Sequence, residues 1–385
     1  MKTTRFALLC ISLMCAPLAH ATSWLATQLS YQAEGWNIGQ VYGLNNQGQV
    51  IGRMDPPGPP PSPGIFESVP MGFVTGANGK NLQPVDPNYT PYIEYCHGCH
   101  TAFTPRAINN AGQVAVTTFS PWSQEVSILL SGPGGGAISP PAGIIGAWGA
   151  IVNLNNSGQI AATFAHGPPS SFVTDANGSN PHLLGLLDNN YDSTILGIND
   201  SGQLLITGVR AGSTETKTFV TGPNASDVAF EVDNFGQGSF VTGLNNSAQL
   251  FGSYYATVGG QLRAFITDAN GTGFTDLGSL GGNTYASGIN NNGLVVGDSG
   301  GKPFLYGLGK GIIDLNQLVT LRPGEFLTYA PDINDRGQIV AQSNLGKLYL
   351  LSPVPEPTTY LMLLSGLALI YWRTRPPREF HVKHA

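Results

Sequence analysis

Seven copies of one hexapeptide punctuate the chain: LNNQGQ at Leu44, INNAGQ at Ile108, LNNSGQ at Leu154, INDSGQ at Ile198, LNNSAQ at Leu244, INNNGL at Ile289 and INDRGQ at Ile333. The first asparagines stand at Asn45, Asn109, Asn155, Asn199, Asn245, Asn290 and Asn334, giving steps of 64, 46, 44, 46, 45 and 44 residues. A fixed period of this length is the mark of an array in which one supersecondary unit repeats and buries its apolar face against its neighbours.

Each unit carries further elements. GFVTGANG from Gly72, SFVTDANG from Ser171, TFVTGPNA from Thr218 and AFITDANG from Ala264 follow the hexapeptide, with weaker forms at Val126 to Leu130, Pro303 to Tyr306 and Leu348 to Leu351. A third apolar stretch often comes next, as in FTDLGSL from Phe274 or GIIDLNQL from Gly311. The aliphatic residue ahead of Asn-Asn/Asp-x-Gly ends one strand, the polar residues make a tight turn with positive φ supplied by Gly and tolerated by Asn, and an alternating segment such as VVGDS leads away. Asp-Ala-Asn-Gly makes a second turn of the same sort.

Four short strands in about 45 residues is the arithmetic of a β-propeller blade, and seven units predict seven blades in an all-β chain. Leucine-rich repeats are much shorter, and helical repeats carry far less Gly and Asn. The alternative all-β array is a β-solenoid. Composition agrees with many strands and turns: 51 Gly, 28 Pro and only 10% charged residues. The last unit runs into Val354 without room for a fourth strand, whereas Leu25 to Tyr31 (LATQLSY) precedes the first turn with no blade of its own. The sequence therefore predicts that Leu25 to Tyr31 completes the last blade and leaves no open ring edge.

The ends read as address labels. Lys2 and Arg5, the apolar stretch Phe6 to Met14 and Ala19-His20-Ala21 follow the order of a secretory signal peptide, 1–21, with cleavage by signal peptidase expected after Ala21. Val354 onward holds Pro355-Glu356-Pro357, an apolar run from Tyr360 to Trp372, then Arg373, Arg375 and Arg378. A helix over that run is about 20 Å long against about 30 Å of hydrocarbon, which suits a transient span better than a permanent one. This end resembles the PEP-CTERM sorting signal of exported Gram-negative proteins. The resemblance implies a precursor held in the inner membrane with its basic tail inside, cut near Pro355-Glu356-Pro357 by an exosortase and passed to the cell surface or its exopolysaccharide matrix. The layout expected is a signal peptide at 1–21, repeats over 22–353 with an insertion at about 54–104, a sorting segment at 354–378 and a tail at 379–385.

The repeats are similar to the HAF family of extracellular repeats, on RAFITDANG at Arg263 and GSLGGNTYASGINNNGLVVGDS from Gly278. That resemblance implies an exported repeat module and brings no catalytic residues with it. Six of the 17 basic residues (Lys2, Arg5, Arg373, Arg375, Arg378 and Lys383) and two of the 23 acids (Glu356 and Glu379) lie in the ends, so the middle holds 11 basic and 21 acidic groups, a net charge of −10. Such a domain lacks the basic footprint that neutralises phosphates, so nucleic acid is not an expected partner.

The segment most suggestive of chemistry is Cys96-His97-Gly98-Cys99-His100, which has the spacing for covalent c-type haem, with His100 as the axial ligand. No helical periodicity surrounds it and no nearby Met offers a second ligand. A small disulfide between Cys96 and Cys99 in an oxidising compartment is the preferred reading; a zinc set using His97 and His100 is a third. Asp188 to Asp192 opens like a calcium loop but lacks the Gly and Glu that complete one, and reads as a turn. Asp332 and Asp335 read as caps of the turn at Asn334. With His97, His100, His166 and His182 as the histidines of the domain and no nucleophile or zinc-hydrolase motif, no catalytic residue is assigned. The expectation is a non-catalytic surface or matrix module for extracellular polysaccharide, with a haem electron carrier and a polysaccharide-cleaving enzyme as the competing readings.

Overall fold

The computed structural model describes residues 23–30, 36–56, 66–68, 70–86, 92–94, 103–120, 125–133, 138–139, 145–166, 171–184, 191–210, 216–232, 235, 237–354, 365 and 371. The chain divides into two compact units, 26–352 and the paired ends 1–25 with 353–385. In the second of these the described residues belong to strand ends, apart from Ser365 and Tyr371, which are helical.

The unit 26–352 is a seven-bladed β-propeller. Each hexapeptide joins the first two antiparallel strands of a blade. Blade 1 is built from Asn37–Leu44, Val50–Asp55, Met71–Val74 and Gln83–Pro84. Blade 2 has Thr104–Ile108, Val114–Ser120, Glu125–Ser131 and the short Ile138–Ser139. Blade 3 has Ile145–Leu154, Ile160–His166, Ser171–Val173 and His182–Leu183. Blade 4 follows with Tyr191–Ile198, Leu204–Arg210, Thr216–Thr221 and Val228–Glu231. Blade 5 has Gln237–Leu244, Leu250–Tyr255, Leu262–Ile266 and Thr275–Asp276, and blade 6 has Thr284–Ile289, Val295–Ser299, Lys302–Tyr306 and Ile312–Asp314. Blades 2 and 3 are fused into one sheet where Glu125–Ser131 also pairs with Ile145–Leu154.

Blade 7 takes three strands from the C-terminal side, Leu327–Ile333, Ile339–Ser343 and Leu348–Val354, and its fourth from the other end of the chain, Ser23–Leu29. That is the closure expected from the missing fourth strand. Leu29 is buried with Val340, Leu348 and Leu350 of blade 7 and with Val50, Met71 and Phe73 of blade 1. The core lies between blades throughout. Ala161 and Val173 meet Ile195, Leu204 and Ile206 across blades 3 and 4, and Phe251, Ala264 and Ile266 meet Ala286, Val295 and Phe304 across blades 5 and 6. The sheets twist so that each blade presents one apolar face to either neighbour, which is why buried residues run on in stretches such as Leu250 to Tyr254.

The third-strand aromatic has a local partner. Phe73, Phe265 and Phe304 each pair across the ladder with a glycine, Gly52, Gly252 and Gly297. A Cβ at these glycines would stand 2.7 to 2.9 Å from the ring, so the aromatic occupies the space a side chain would fill.

The insertion expected at 54–104 contains two strands of blade 1. The extra residues form two excursions, one between its second and third strands and one after its fourth, and their strands Phe66–Ser68 and Tyr92–Glu94 pair with each other.

Candidate functional site: the central channel

The seven first strands surround the propeller axis, and their hexapeptides close one end of the channel with two hydrogen-bonded rings. In the inner ring each first Asn is buried. Its Oδ1 accepts from two backbone N–H groups of its own turn; for Asn155 these are Ser157 and Gln159. Its Nδ2 donates to the backbone carbonyl of the corresponding Asn in the next blade: Asn45 to Asn109, Asn109 to Asn155, Asn155 to Asn199, Asn199 to Asn245, Asn245 to Asn290, Asn290 to Asn334 and Asn334 back to Asn45, at 2.8 to 3.3 Å. Buried amides are tolerated because their donors and acceptors are matched. Except in blade 6, where Leu294 takes the place, Nδ2 also donates to the Gln that ends the hexapeptide, as Asn155 does to Gln159.

The residue after each first Asn makes the outer ring. The backbone N–H of Asn46, Asn110, Asn156, Asp200, Asn246, Asn291 and Asp335 donates in turn to Oδ1 of the next, closing from Asp335 to Asn46, at 2.7 to 2.9 Å. Seven asparagines would leave this ring with amide donors and no spare acceptors. Two aspartates supply them. Asp200 Oδ2 accepts from Asn156 and Asn246, and Asp335 Oδ2 accepts from Asn291 and Asn46.

Behind the rings lies a cavity of about 370 Å³, lined among others by Tyr42, Arg106, Asn153 and Asp332. Asp332 carries a carboxylate where most blades have Gly. Its Oδ2 accepts from Leu44 N–H of blade 1 and its Oδ1 from Ile333 N–H. Desolvation outweighs these bonds and raises its pKa to about 7. Burial lowers the Arg106 guanidinium, whose Nε donates to Thr117 and whose Cζ lies 5.7 Å from the Tyr42 ring centre. Asn153 Nδ2 is buried without a partner.

A second titratable cluster sits in blade 7. Burial pushes the Glu325 carboxyl up, but hydrogen bonds from Ser343, Tyr349 and Lys347 overcome this and hold it below its ordinary value. Burial, then Glu325, pushes the Tyr349 hydroxyl up to about 12.

The sequence-derived residues fall into two groups. The seven repeat asparagines converge on one ring, with a task the turn reading missed: the positive φ of the hexapeptide belongs to its fifth residue, as at Gly48, Gly158 and Ala248, while the first Asn ties blade to blade. Of Asp332 and Asp335, read as caps of the Asn334 turn, Asp332 keeps one local bond, from Ile333 N–H, and adds one from Leu44 of blade 1, whereas the bonds of Asp335 go to Asn46 and Asn291 of the neighbouring blades. The only signal for the outer ring was that its seven positions hold Asn or Asp without exception. Cys96, Cys99 and His100, the cleavage residues Ala19 and Ala21, and Pro355, Glu356 and Pro357 lie outside the described residues, as does Asp188 of the calcium-like segment. Asp192 lies in the first strand of blade 4. Among the described residues no His/Cys/Asp/Glu group could hold a metal ion, and no helix is long and apolar enough to cross a membrane. The run Tyr360 to Trp372 lies outside them except at Ser365 and Tyr371.

Comparison with known proteins places a PEP-CTERM protein-sorting motif at residues 353–375. No curated protein matches the chain. Similar solved structures include the β-propeller domain of the Trilobed protease from Pyrococcus furiosus, at 15% identity over 66% of this chain and 85% of that one, TM-score 0.45. TolB from Acinetobacter baumannii is 14% identical over 74% of this chain and 61% of its own, TM-score 0.42. A structure from a study of two prolyl endopeptidases is 12% identical over 91% and 55%, TM-score 0.49. Likeness of this degree transfers no activity. The chain is thus a seven-bladed β-propeller, and its sorting motif marks it as an exported surface protein of a Gram-negative bacterium, processed by an exosortase.

Proposed function

We propose that the protein is a non-catalytic binding propeller of HAF-type repeats that enters export through a signal peptide, is released at its sorting motif, and holds neutral exopolysaccharide in a surface or biofilm matrix. The observation that carries this reading is the sorting motif at 353–375 at the end of a closed propeller. Two features support it. The carboxylates of the channel rings are engaged as ties between blades, which suits scaffolding better than acid–base chemistry. The net charge of −10 over the middle of the chain repels polyanions and favours neutral polymers as the partner.

The test is the intact mass of protein recovered from the native envelope and medium, followed by co-sedimentation with the cell's own exopolysaccharide. The expected species begins at Thr22, ends near Pro355-Glu356-Pro357 and sediments with the polymer. A species that retains the sequence through Ala385 and stays with the inner membrane overturns the matrix role. A covalent mass addition of one haem on Cys96 and Cys99 would favour the electron-transfer reading instead.

A further inference from the structure

Farther along the first strands, away from the asparagine rings, the repeats carry a different pattern. Ladder register defines one equivalent position on the first strand of every blade, three residues into the pairing with the second strand. It is filled by Gln40, Thr104, Ile151, Thr194, Phe240, Tyr285 and Tyr329, opposite Arg53, Thr117, Thr163, Thr207, Ser253, Asp298 and Gln342. On blades 5, 6 and 7, which are consecutive, the residue is aromatic, and it is exposed by 46%, 41% and 44%. Nothing in folding calls for three exposed rings at one repeat position when Thr serves on blades 2 and 4.

Each ring has a hydrogen-bonding side chain directly across the ladder and so on the same face of its sheet. Ser253 stands opposite Phe240, Asp298 opposite Tyr285 and Gln342 opposite Tyr329. Asp298 Oδ1 accepts from Gly301 N–H, while its Oδ2 is enclosed and has no partner in the protein. Ser253 is buried and its hydroxyl is given to the Thr284 carbonyl, but Asp298 and Gln342 are partly exposed. Three exposed π faces on consecutive blades, with hydrogen-bonding groups beside two of them, match a polymer of pyranose rings. Such a ring offers a C–H face to stack on an aromatic and hydroxyls to donate at its rim. The acidic character of the domain excludes a polyanionic chain from the same surface.

We propose that Phe240, Tyr285 and Tyr329 form a stacking platform for a neutral polysaccharide chain laid across blades 5 to 7, with the partly exposed side chains of Asp298 and Gln342 beside it as hydrogen-bonding groups for sugar hydroxyls. The platform rests on the polysaccharide reading given above and assigns it a place.

Affinity electrophoresis of the processed protein through gels containing dextran, laminarin, hydroxyethyl cellulose or galactomannan tests it. Three proteins are compared: wild type, the triple variant Phe240→Ala/Tyr285→Ala/Tyr329→Ala, and Leu183→Ser, which alters a still more exposed apolar residue on the outermost strand of blade 3. The expected result is retardation of wild type and Leu183→Ser by at least one neutral polymer, and binding at least about tenfold weaker in the triple variant at unchanged thermal stability. Equal retardation of the triple variant overturns the platform and leaves the polysaccharide reading standing. No retardation of wild type by any of the four, nor co-sedimentation with native exopolysaccharide, overturns both. Self-association of wild type that the triple variant abolishes in light scattering would make the arc an interface between copies and overturn the platform.

Discussion

Asp332 is a channel residue whose charge state burial disputes near neutral pH. Its pKa of about 7 stands above the 3.8 it starts from, so between about pH 4 and pH 7 the folded protein keeps a proton that the unfolded chain has released. Stability must then fall as pH rises through that window, with a slope approaching about 1.4 kcal/mol per pH unit from this group alone. Asp332→Asn removes the titration. The amide can satisfy only one of the two N–H groups at Leu44 and Ile333, so the variant is less stable at pH 4, yet its curve of stability against pH is flatter between pH 4 and 7. Urea unfolding across that range measures both; parallel curves for the two proteins would show that the carboxylate titrates normally. The role of this residue was not legible in the sequence, where its closeness to Asn334 suggested a local cap. Its partner Leu44 is 288 positions away and reaches it only by closure of the ring.

The blade shows the same division between what local chemistry announces and what packing adds. Strand, turn and strand follow from apolar alternation broken by Asn-x-Gly, and all four strands of the unit stand where these signals fall. The second turn does more than reverse the chain. Asn177 N–H and Gly178 N–H donate to the carbonyls of Ser157 and Gly158, so the Ala-Asn-Gly turn docks on the hexapeptide of its own blade, and Thr174 Oγ1 accepts from Ile160 N–H beside it. Blade 2 lacks the FVT motif but keeps the bond, with Ser131 Oγ accepting from Val114 N–H. A hydroxyl followed by Gly was the legible part of that substitution. In the midst of this web Asn155 makes two bonds as acceptor and two as donor. Asn155→Ala strands the buried N–H of Gln159 and removes one of the two donors to the Asn199 carbonyl, which keeps Gly202 N–H, for an expected loss of about 2–4 kcal/mol, whereas Asn156→Ala on the exposed outer ring costs about 1 kcal/mol. Equal losses in urea unfolding would mean that the inner ring carries no special weight.

At the scale of the whole molecule, seven nearly identical units make a ring only if the seventh recognises the first. The two asparagine rings do this at one end of the channel, through Asn334 to Asn45 and Asp335 to Asn46. At the rim the ladder does it, where Ser23–Leu29 pairs with Leu348–Val354 and inserts Leu29 between blades 7 and 1. This closure was legible because strand counting leaves one strand over at the N-terminal end and one short at the C-terminal end. The fusion of blades 2 and 3 was not, since it depends on where loops let two sheets touch. The closing strand begins two residues beyond the expected signal-peptide cut, and its partner strand ends within the sorting motif, so the termini left by processing would both belong to the finished blade. Deleting 22–30 would leave the edge of Leu348–Val354 open and a hole where Leu29 sits. The burial of Leu29 alone is worth about 1.5–3 kcal/mol, and an open edge invites pairing between chains. The deletion is expected to lower the urea midpoint and to produce concentration-dependent oligomers in light scattering. Leu29→Asp, which keeps the strand but not its apolar contact, should lower the midpoint with fewer oligomers. A deletion variant that stays monomeric at wild-type stability would show that the asparagine rings alone hold the circle shut.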